Sequence, residues 1–304
     1  MSPNGSVMRA RLDVPEPRVD RPIFVVGVDH SGTTILYRML ARHPEVAWFS
    51  QYSLRDGNMP GRARVPLNGW INRTGRSLAG HTWRKELRVV RPEPRECFGI
   101  WRRLIPRNDS LLYASDCTDE LAERVRSVVA ADLRAWRLER MLMKTPYLTR
   151  RILLLDRIFP DALFLHIVRD GRAVALSNRE RIAKEGGLGP EEALRKSAAY
   201  WVQTLDYVEE CAEVLGPRFS GIRYENFCQD VHGALTAAFR VCDLDPAAAH
   251  LDGVPRTLTP TNDRWLRECS AGDRAILDEE LGDTLTRWDY SLFDDVRRDR
   301  AAAS

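Results

Sequence analysis

The chain has 304 residues, with 46 Lys and Arg against 43 Asp and Glu and a net charge of +3. That length suffices for one large domain or two small ones whose core needs no staples. The near-balance of charge excludes a nucleic-acid partner held by bulk charge, and no apolar run approaches the roughly 18 residues of a membrane span.

The composition predicts a disordered arm over residues 1–21, which are Pro- and Arg-rich with few apolar residues. The arm lacks the apolar segment of a secretory signal. "PIFVVGV" (22–28) is a short apolar run stopped by glycine, as a buried parallel strand is. "TTILYRMLARH" follows at helical period and stops at His43-Pro44. "EVAWF" reads as a second strand, 119–138 as a helix and "RMLMK" as a third strand. "TRRILLLDRIF" is a helix ended by Pro160. "ALFLHIV" (162–168) is the clearest strand, "GRAVALSNRERIAK" the next helix, and 190–215 a long amphipathic helix closed by Gly216-Pro217. "RFSGIRY" is a further strand, and helices alternate with loops to about 290. Strand and helix alternate, so a parallel β-sheet flanked by helices is expected, an α/β fold. A single domain spans 22–290 and a flexible tail 291–304. Ligands of such sheets sit beyond the carboxyl ends of the strands.

Cys97, Cys117, Cys211, Cys228, Cys242 and Cys269 form no CxxC pair and no ligand-like spacing with the six histidines. Reduced thiols, a cytoplasmic location and no metal follow as expectations. Two loops carry the chemistry. In "FVVGVDHSGTT" (24–34), Gly27 to Thr34 join a strand to a helix as a phosphate-binding loop does. Thr33, however, stands where such loops carry the lysine that reaches β- and γ-phosphates. A 5′-phosphate without a pyrophosphate tail suits the loop, and a tight Gly turn before a helix is the plain structural alternative. In "HIVRDGRAVALSNRER", Asp170 is a natural N-cap. Arg169 lies at the helix mouth, and Ser177 and Arg181 share one face four residues apart. An arginine fork with a hydroxyl suits a phosphate monoester. The plain alternative pairs Arg169 with a carboxylate. Two anion pockets on neighbouring strand ends fit a ligand with two separated phosphates, such as 3′-phosphoadenosine 5′-phosphosulfate (PAPS).

At these residues the sequence resembles the PAPS-dependent sulfotransferases, in motif layout most the tyrosylprotein and carbohydrate types. The first loop is similar to their 5′-phosphosulfate loop, and Arg169 with Ser177 to their 3′-phosphate site, with Arg181 as a further basic contact. "MKTP" (143–146), "RYENF" (223–227) and "TPTNDRW" (259–265) resemble later motifs, in the family's order. The resemblance implies a P-loop-like sulfotransferase fold and a metal-free sulfuryl transfer from PAPS, releasing PAP. The acceptor is a small molecule or carbohydrate with a hydroxyl or amine. His30, Ser31, Gly32, Thr33, Thr34, Arg169, Ser177, Arg181, Tyr224, Asn262, Arg264 and Trp265 are then expected at the nucleotide. Lys144 is the candidate to neutralise charge on the departing phosphate oxygen.

Two positions depart from the family pattern. His30 replaces the usual arginine, and Gln51 stands where related members place a glutamate base. Gln51 can orient an acceptor but cannot take its proton. His30 as base, another carboxylate (Asp56, Asp116 or Glu96), or an acceptor that needs little help remain as three explanations. A non-catalytic nucleotide-binding relative and a small-molecule kinase are the other classes. The stretch 55–107 holds Trp70, His81, Trp83 and Trp101, with 13 Arg and Lys against 4 Asp and Glu. An acceptor-binding insertion or lid is therefore expected over 55–118. A basic surface with tryptophans in a local core is the plainer reading.

Overall fold

A computed structural model describes residues 18–50, 53, 92–105, 110–262 and 264–291. Gln51, Asp56, Trp70, His81 and Trp83 lie outside the described residues, as do residues 1–17 and 292–304. Five strands form one parallel sheet: β1 (Ile23–Val26), β2 (Val46–Trp48), β3 (Arg140–Lys144), β4 (Leu163–Val168) and β5 (Phe219–Arg223). Their spatial order is β2-β3-β1-β4-β5. Strands β1 and β4 are buried at every position, which is why β1 reads as an unbroken apolar run and β4 as one interrupted only by His166.

The helices between the strands follow their punctuation. α1 (Thr33–Leu40) leaves the first loop, and α2 (Phe98–Leu104) precedes α3 (Asp119–Trp136). Thr118 caps α3 by accepting the Leu121 N–H. α4 (Ile152–Ile158) is entered through a 3₁₀ turn at Pro146–Arg151. The helix expected from 149 therefore starts three residues late, because Thr149 is tied to Gly27 in the loop after β1 and Arg150 leaves the helical conformation. α5 (Gly171–Gly186) is capped by Asp170, which accepts the Arg172 N–H. α6 (Pro190–Leu215) has Pro at its first position, two glutamates in its first turn and Gly216 beyond its end. Then come α7 (Tyr224–Gln229), α8 (Val231–Val241), α9 (Arg264–Glu268) and α10 (Ala271–Arg287).

One apolar cluster holds the sheet with α1, α3, α4 and α8; a second lies between α5, α6, α9 and α10 and reaches Val28 and Val168. Trp101 lies within the first, wholly buried between Phe24 and Phe49. This tryptophan belongs to the core, as the plainer reading of the 55–107 segment had it. The end of the expected N-terminal arm is anchored: the Arg21 N–H donates to Asp161 and the Asp20 N–H to the Glu139 carbonyl.

The connectivity decides where a ligand can sit. From β1 the chain crosses past the β3 position to β2, returns to β3, and then goes to the other side of β1 for β4. The direction of winding thus reverses at β1, and a crevice opens beyond the carboxyl ends of β3, β1 and β4. Those three ends carry Lys144, the Gly27–Thr34 loop and Arg169.

Candidate active site

The first loop is built against the sheet. Gly27 has φ of 156°, and a Cβ there would stand 2.5 Å from the Ile167 carbonyl. Thr149, from the 3₁₀ turn, grips the same residue: its Oγ1 accepts the Gly27 N–H at 2.8 Å and donates to the Gly27 carbonyl at 2.9 Å. Gly32, at φ 92°, is the N-cap of α1; a Cβ would lie 2.6 Å from the Tyr224 ring. With glycine as cap, no side chain accepts from the first-turn N–H groups of α1. Those donors suit an oxyanion, which fits a phosphate-bearing ligand. His30 takes the left-handed conformation, φ 66°, which histidine tolerates better than most residues. Desolvation by the packed loop holds the His30 pKa below its usual value; Arg181, Arg169 and Lys144 push the same way, and Asp29 opposes.

Lys144 is the last residue of β3, in register with Val25. It is buried, and its Nζ donates to Thr34 Oγ1 at 2.9 Å and to Glu96 Oε1 at 2.5 Å. Thr34 in turn donates to Glu96 Oε1 at 3.1 Å. Burial pulls the Lys144 pKa below that of an ordinary lysine, and the Glu96 carboxylate opposes the pull. Backbone contacts place Glu96 there. The Arg95 N–H donates to the Phe49 carbonyl at 2.8 Å, Pro94 bridges Ser50, and Tyr37 Oη donates to the Arg95 carbonyl at 3.2 Å. The chain at 94–96 therefore runs along the end of β2 and lays Glu96 beside the first turn of α1. Of the three carboxylates weighed from sequence, Glu96 meets the lysine. Asp116 accepts the Tyr113 N–H in a turn of its own.

Arg169, just after β4, fastens three segments together. Its Nε donates to Asn262 Oδ1 at 2.7 Å, one terminal nitrogen to the His30 carbonyl at 2.7 Å, and the other to Thr261 Oγ1 at 3.0 Å. Its plane lies 4.7 Å over the Tyr224 ring. Among the described residues, three of the five guanidinium donors are thus committed and two are not. The bond to the His30 carbonyl also holds that left-handed residue in place. Behind Asn262 stands Glu225, which accepts from Asn262 Nδ2 and from Tyr290 Oη.

The remaining expected residues divide. Arg181 reaches back toward the first loop, with Asn178 Oδ1 at 2.9 Å and Asp29 Oδ2 at 3.5 Å. Ser177 donates to the Ala173 carbonyl of its own helix. Arg264 pairs with Glu268 at the surface. Trp265 is buried in the second apolar cluster with the Arg172 guanidinium 4.1 Å over its ring. The structure therefore gathers His30, Ser31, Gly32, Thr33, Thr34, Lys144, Arg169, Arg181, Tyr224 and Asn262 beyond the carboxyl ends of the strands, with Arg264 paired to Glu268 and Trp265 packed in the second apolar cluster.

Sequence reasoning missed Thr149, Thr261 and Glu225 as supports. Thr261 and Glu225 lie inside the "TPTN" and "RYEN" stretches, and Thr149 follows "MKTP" by three residues, but nothing local marks any of them as a support. Among the described residues, no cluster of three His, Cys, Asp or Glu could hold a metal, and no helix is long and apolar enough to cross a membrane.

A model described as the sulfotransferase family matches residues 22–247. The omega-hydroxy-beta-dihydromenaquinone-9 sulfotransferases Stf3 of Mycobacterium bovis and Mycobacterium tuberculosis are each 27% identical over 162 residues, 49% of this chain. The match covers 41% of those relatives' length. In structure, the sulfotransferase STF9 of Mycobacterium avium is similar at a TM-score of 0.60 and 17% identity, over 92% of this chain and 79% of that one. The sulfotransferase domain from the curacin biosynthetic pathway is similar at 0.51 and 15% identity, over 90% and 99%.

Proposed function

Since the chain belongs to the sulfotransferase family and has its P-loop-like fold, we propose that it moves a sulfuryl group from PAPS to a hydroxyl or amine of a small-molecule or carbohydrate acceptor, releasing PAP. The observation that carries this reading is the meeting of Thr34, Lys144 and Glu96 at the first turn of α1. The name of the mycobacterial relatives, which refers to a hydroxylated menaquinone derivative, supports a small-molecule hydroxyl as acceptor.

In this reading the 5′-phosphosulfate rests on the first-turn N–H groups of α1 with Ser31, Thr33 and Thr34. The 3′-phosphate takes the two uncommitted donors of Arg169, with Ser177 and Arg181 beside it. Tyr224 and Asn262 hold Arg169 in its pose, and Trp265 anchors the late loop from beneath. Sulfuryl transfer is a loose, in-line displacement, so positioning and charge neutralisation dominate. Glu96 takes the acceptor's proton as the acceptor oxygen bonds to sulfur. The bond from sulfur to the 5′-phosphate oxygen breaks, and its electron pair leaves with that oxygen. Lys144 has three N–H donors and uses two, on Thr34 and Glu96. Its third faces the charge that develops on the departing oxygen.

Glu96→Gln tests the assignment, because glutamine can still accept from Lys144 but cannot take a proton. PAPS turnover should fall by about 10²–10⁴, the contribution of a positioned general base, with PAP affinity kept. Wild-type turnover by Glu96→Gln would overturn the role of Glu96. A wild-type protein that binds PAP no better than ADP would overturn the whole reading.

A further inference from the structure

Three consecutive residues that follow β5 join the candidate site to the end of α10. Tyr224 lies under the Arg169 guanidinium at 4.7 Å, and its ring is the group that a Cβ at Gly32 would strike. Arg223 and Glu225, on either side of it, both hold the turn after α10. Arg223 donates to the Trp288 and Asp289 carbonyls at 3.0 and 2.8 Å, and its plane lies 4.2 Å over the Tyr290 ring. Glu225 Oε2 accepts from Tyr290 Oη at 3.1 Å.

The turn itself aims Tyr290. Asp289 is left-handed, with φ of 55°. Its N–H donates to the Thr286 carbonyl at 3.1 Å, and the Tyr290 N–H donates to the Leu285 carbonyl at 2.8 Å. That pair of bonds closes a helix and turns the chain back on it. Tyr290 is buried. Burial and the Glu225 carboxylate hold its pKa well above the usual phenol value, while Arg223 opposes. The hydroxyl therefore stays protonated and donates.

Tyr290 occupies one oxygen of Glu225, and the nucleotide side takes the other. Glu225 Oε1 accepts from Asn262 Nδ2 and from the Asp170 N–H, the latter at 3.4 Å. Asn262 Oδ1 in turn accepts from Arg169 Nε at 2.7 Å. Every link in this line has one permitted direction. A carboxylate only accepts and a guanidinium only donates, so the Asn262 amide must turn its NH₂ to Glu225 and its oxygen to Arg169.

We propose, resting on the PAPS reading above, that Tyr290 is a positioning residue for the nucleotide: through Glu225 and Asn262 it sets the pose in which Arg169 offers its uncommitted donors to the 3′-phosphate.

The test is calorimetric titration of PAP and of ADP, which lacks the 3′-phosphate, into the full chain. Tyr290→Phe removes one hydroxyl and keeps the ring under Arg223. PAP affinity should fall about tenfold, equivalent to about 1.4 kcal/mol and the scale of one hydrogen bond to a charged group. ADP affinity should stay within about twofold. In an Arg169→Met background the further loss should vanish, because a residue that acts only through Arg169 has nothing left to position. A melting curve accompanies each variant. If Tyr290→Phe does not fold, Glu225→Gln takes its place and should show the same selective loss, since its amide cannot accept on both sides. Equal losses for PAP and ADP, an undiminished preference for PAP, or a loss that persists beside Arg169→Met would overturn the positioning role and leave the transferase reading standing. A wild type that binds PAP no better than ADP would sink both.

Discussion

Replacing Lys144 by methionine separates the charge of this side chain from its bulk. The ammonium is buried against Thr34 and Glu96 at 2.9 and 2.5 Å, and methionine fills nearly the same volume without it. Removing one preorganised donor from a developing oxyanion costs about 10²–10³ in kcat, or about 2.7–4 kcal/mol of transition-state stabilisation. The fold should hardly notice. The Glu96 side chain is 39% exposed, so it regains water when its partner goes, and a pair this open contributes at most about 1 kcal/mol. The desolvation cost of the buried ammonium disappears at the same time. The melting temperature should therefore move by no more than about 2–4 °C. PAP affinity should change far less than kcat, because PAP lacks the sulfuryl group. Turnover of labelled PAPS against a panel of hydroxyl acceptors, alongside a melting curve and PAP calorimetry, reads all three quantities. A Lys144→Met enzyme with wild-type turnover would show that the transfer is catalysed elsewhere. A collapse of both stability and turnover would show that the lysine is structural.

Arg169→Ala should remove most of the preference for PAP over ADP, since truncating one partner of a desolvated charged pair costs about 2–5 kcal/mol. It should also lower the melting temperature, because Arg169 ties His30 to Thr261 and Asn262; equal PAP and ADP affinities in the wild type would refute the 3′-phosphate role. Thr149→Val leaves the buried Gly27 N–H without its acceptor and should cost about 1–3 kcal/mol in chemical denaturation; no measurable change would mean that the loop repacks. His166, in the middle of β4, is wholly buried between Phe219 and Trp288 with neither ring nitrogen bonded, and burial lowers its pKa to about 3. The unfolded chain gains a proton near pH 6.5 that the folded chain refuses, so this stability is full above pH 6.5 and falls with pH toward about 3, by up to about 1.4 kcal/mol per unit. His166→Phe should flatten the loss between pH 6.5 and 5 by one proton's slope in urea denaturation, and an unchanged slope would exclude His166 as the cause.

Much of the scaffold was legible because its signals are local. The helix over 190–215 needed only Pro190, a 3.6-residue apolar period and Gly216, all within one stretch of chain. Strand β4 needed only an apolar run with breakers on both sides. The first loop declared itself through Gly27 and Gly32, whose positive φ angles any anion cradle of that shape demands. Tertiary structure alone decided which groups meet there. Glu96 lies 48 residues from Lys144 in sequence, and the Ser50–Pro94 bridge and the Arg95-to-Phe49 hydrogen bond carry it to the end of β3. No period or spacing marks such a residue, because an ion pair closed across the fold leaves no pattern near either partner. Trp101 shows the same limit from the other side. Its sequence neighbourhood is basic and insertion-like, but whether its indole faces a ligand or Phe24 depends on where the chain returns to the sheet. Arg150 and Arg151 are neighbours of one residue type, and only the fold sends one over Tyr200 of α6 and the other over Tyr147 of its own turn. The sequence by itself therefore determined the elements and the glycine loop between β1 and α1. The packing of distant segments determined which carboxylate and which ammonium meet beside that loop, since burial and proximity are properties of the closed chain.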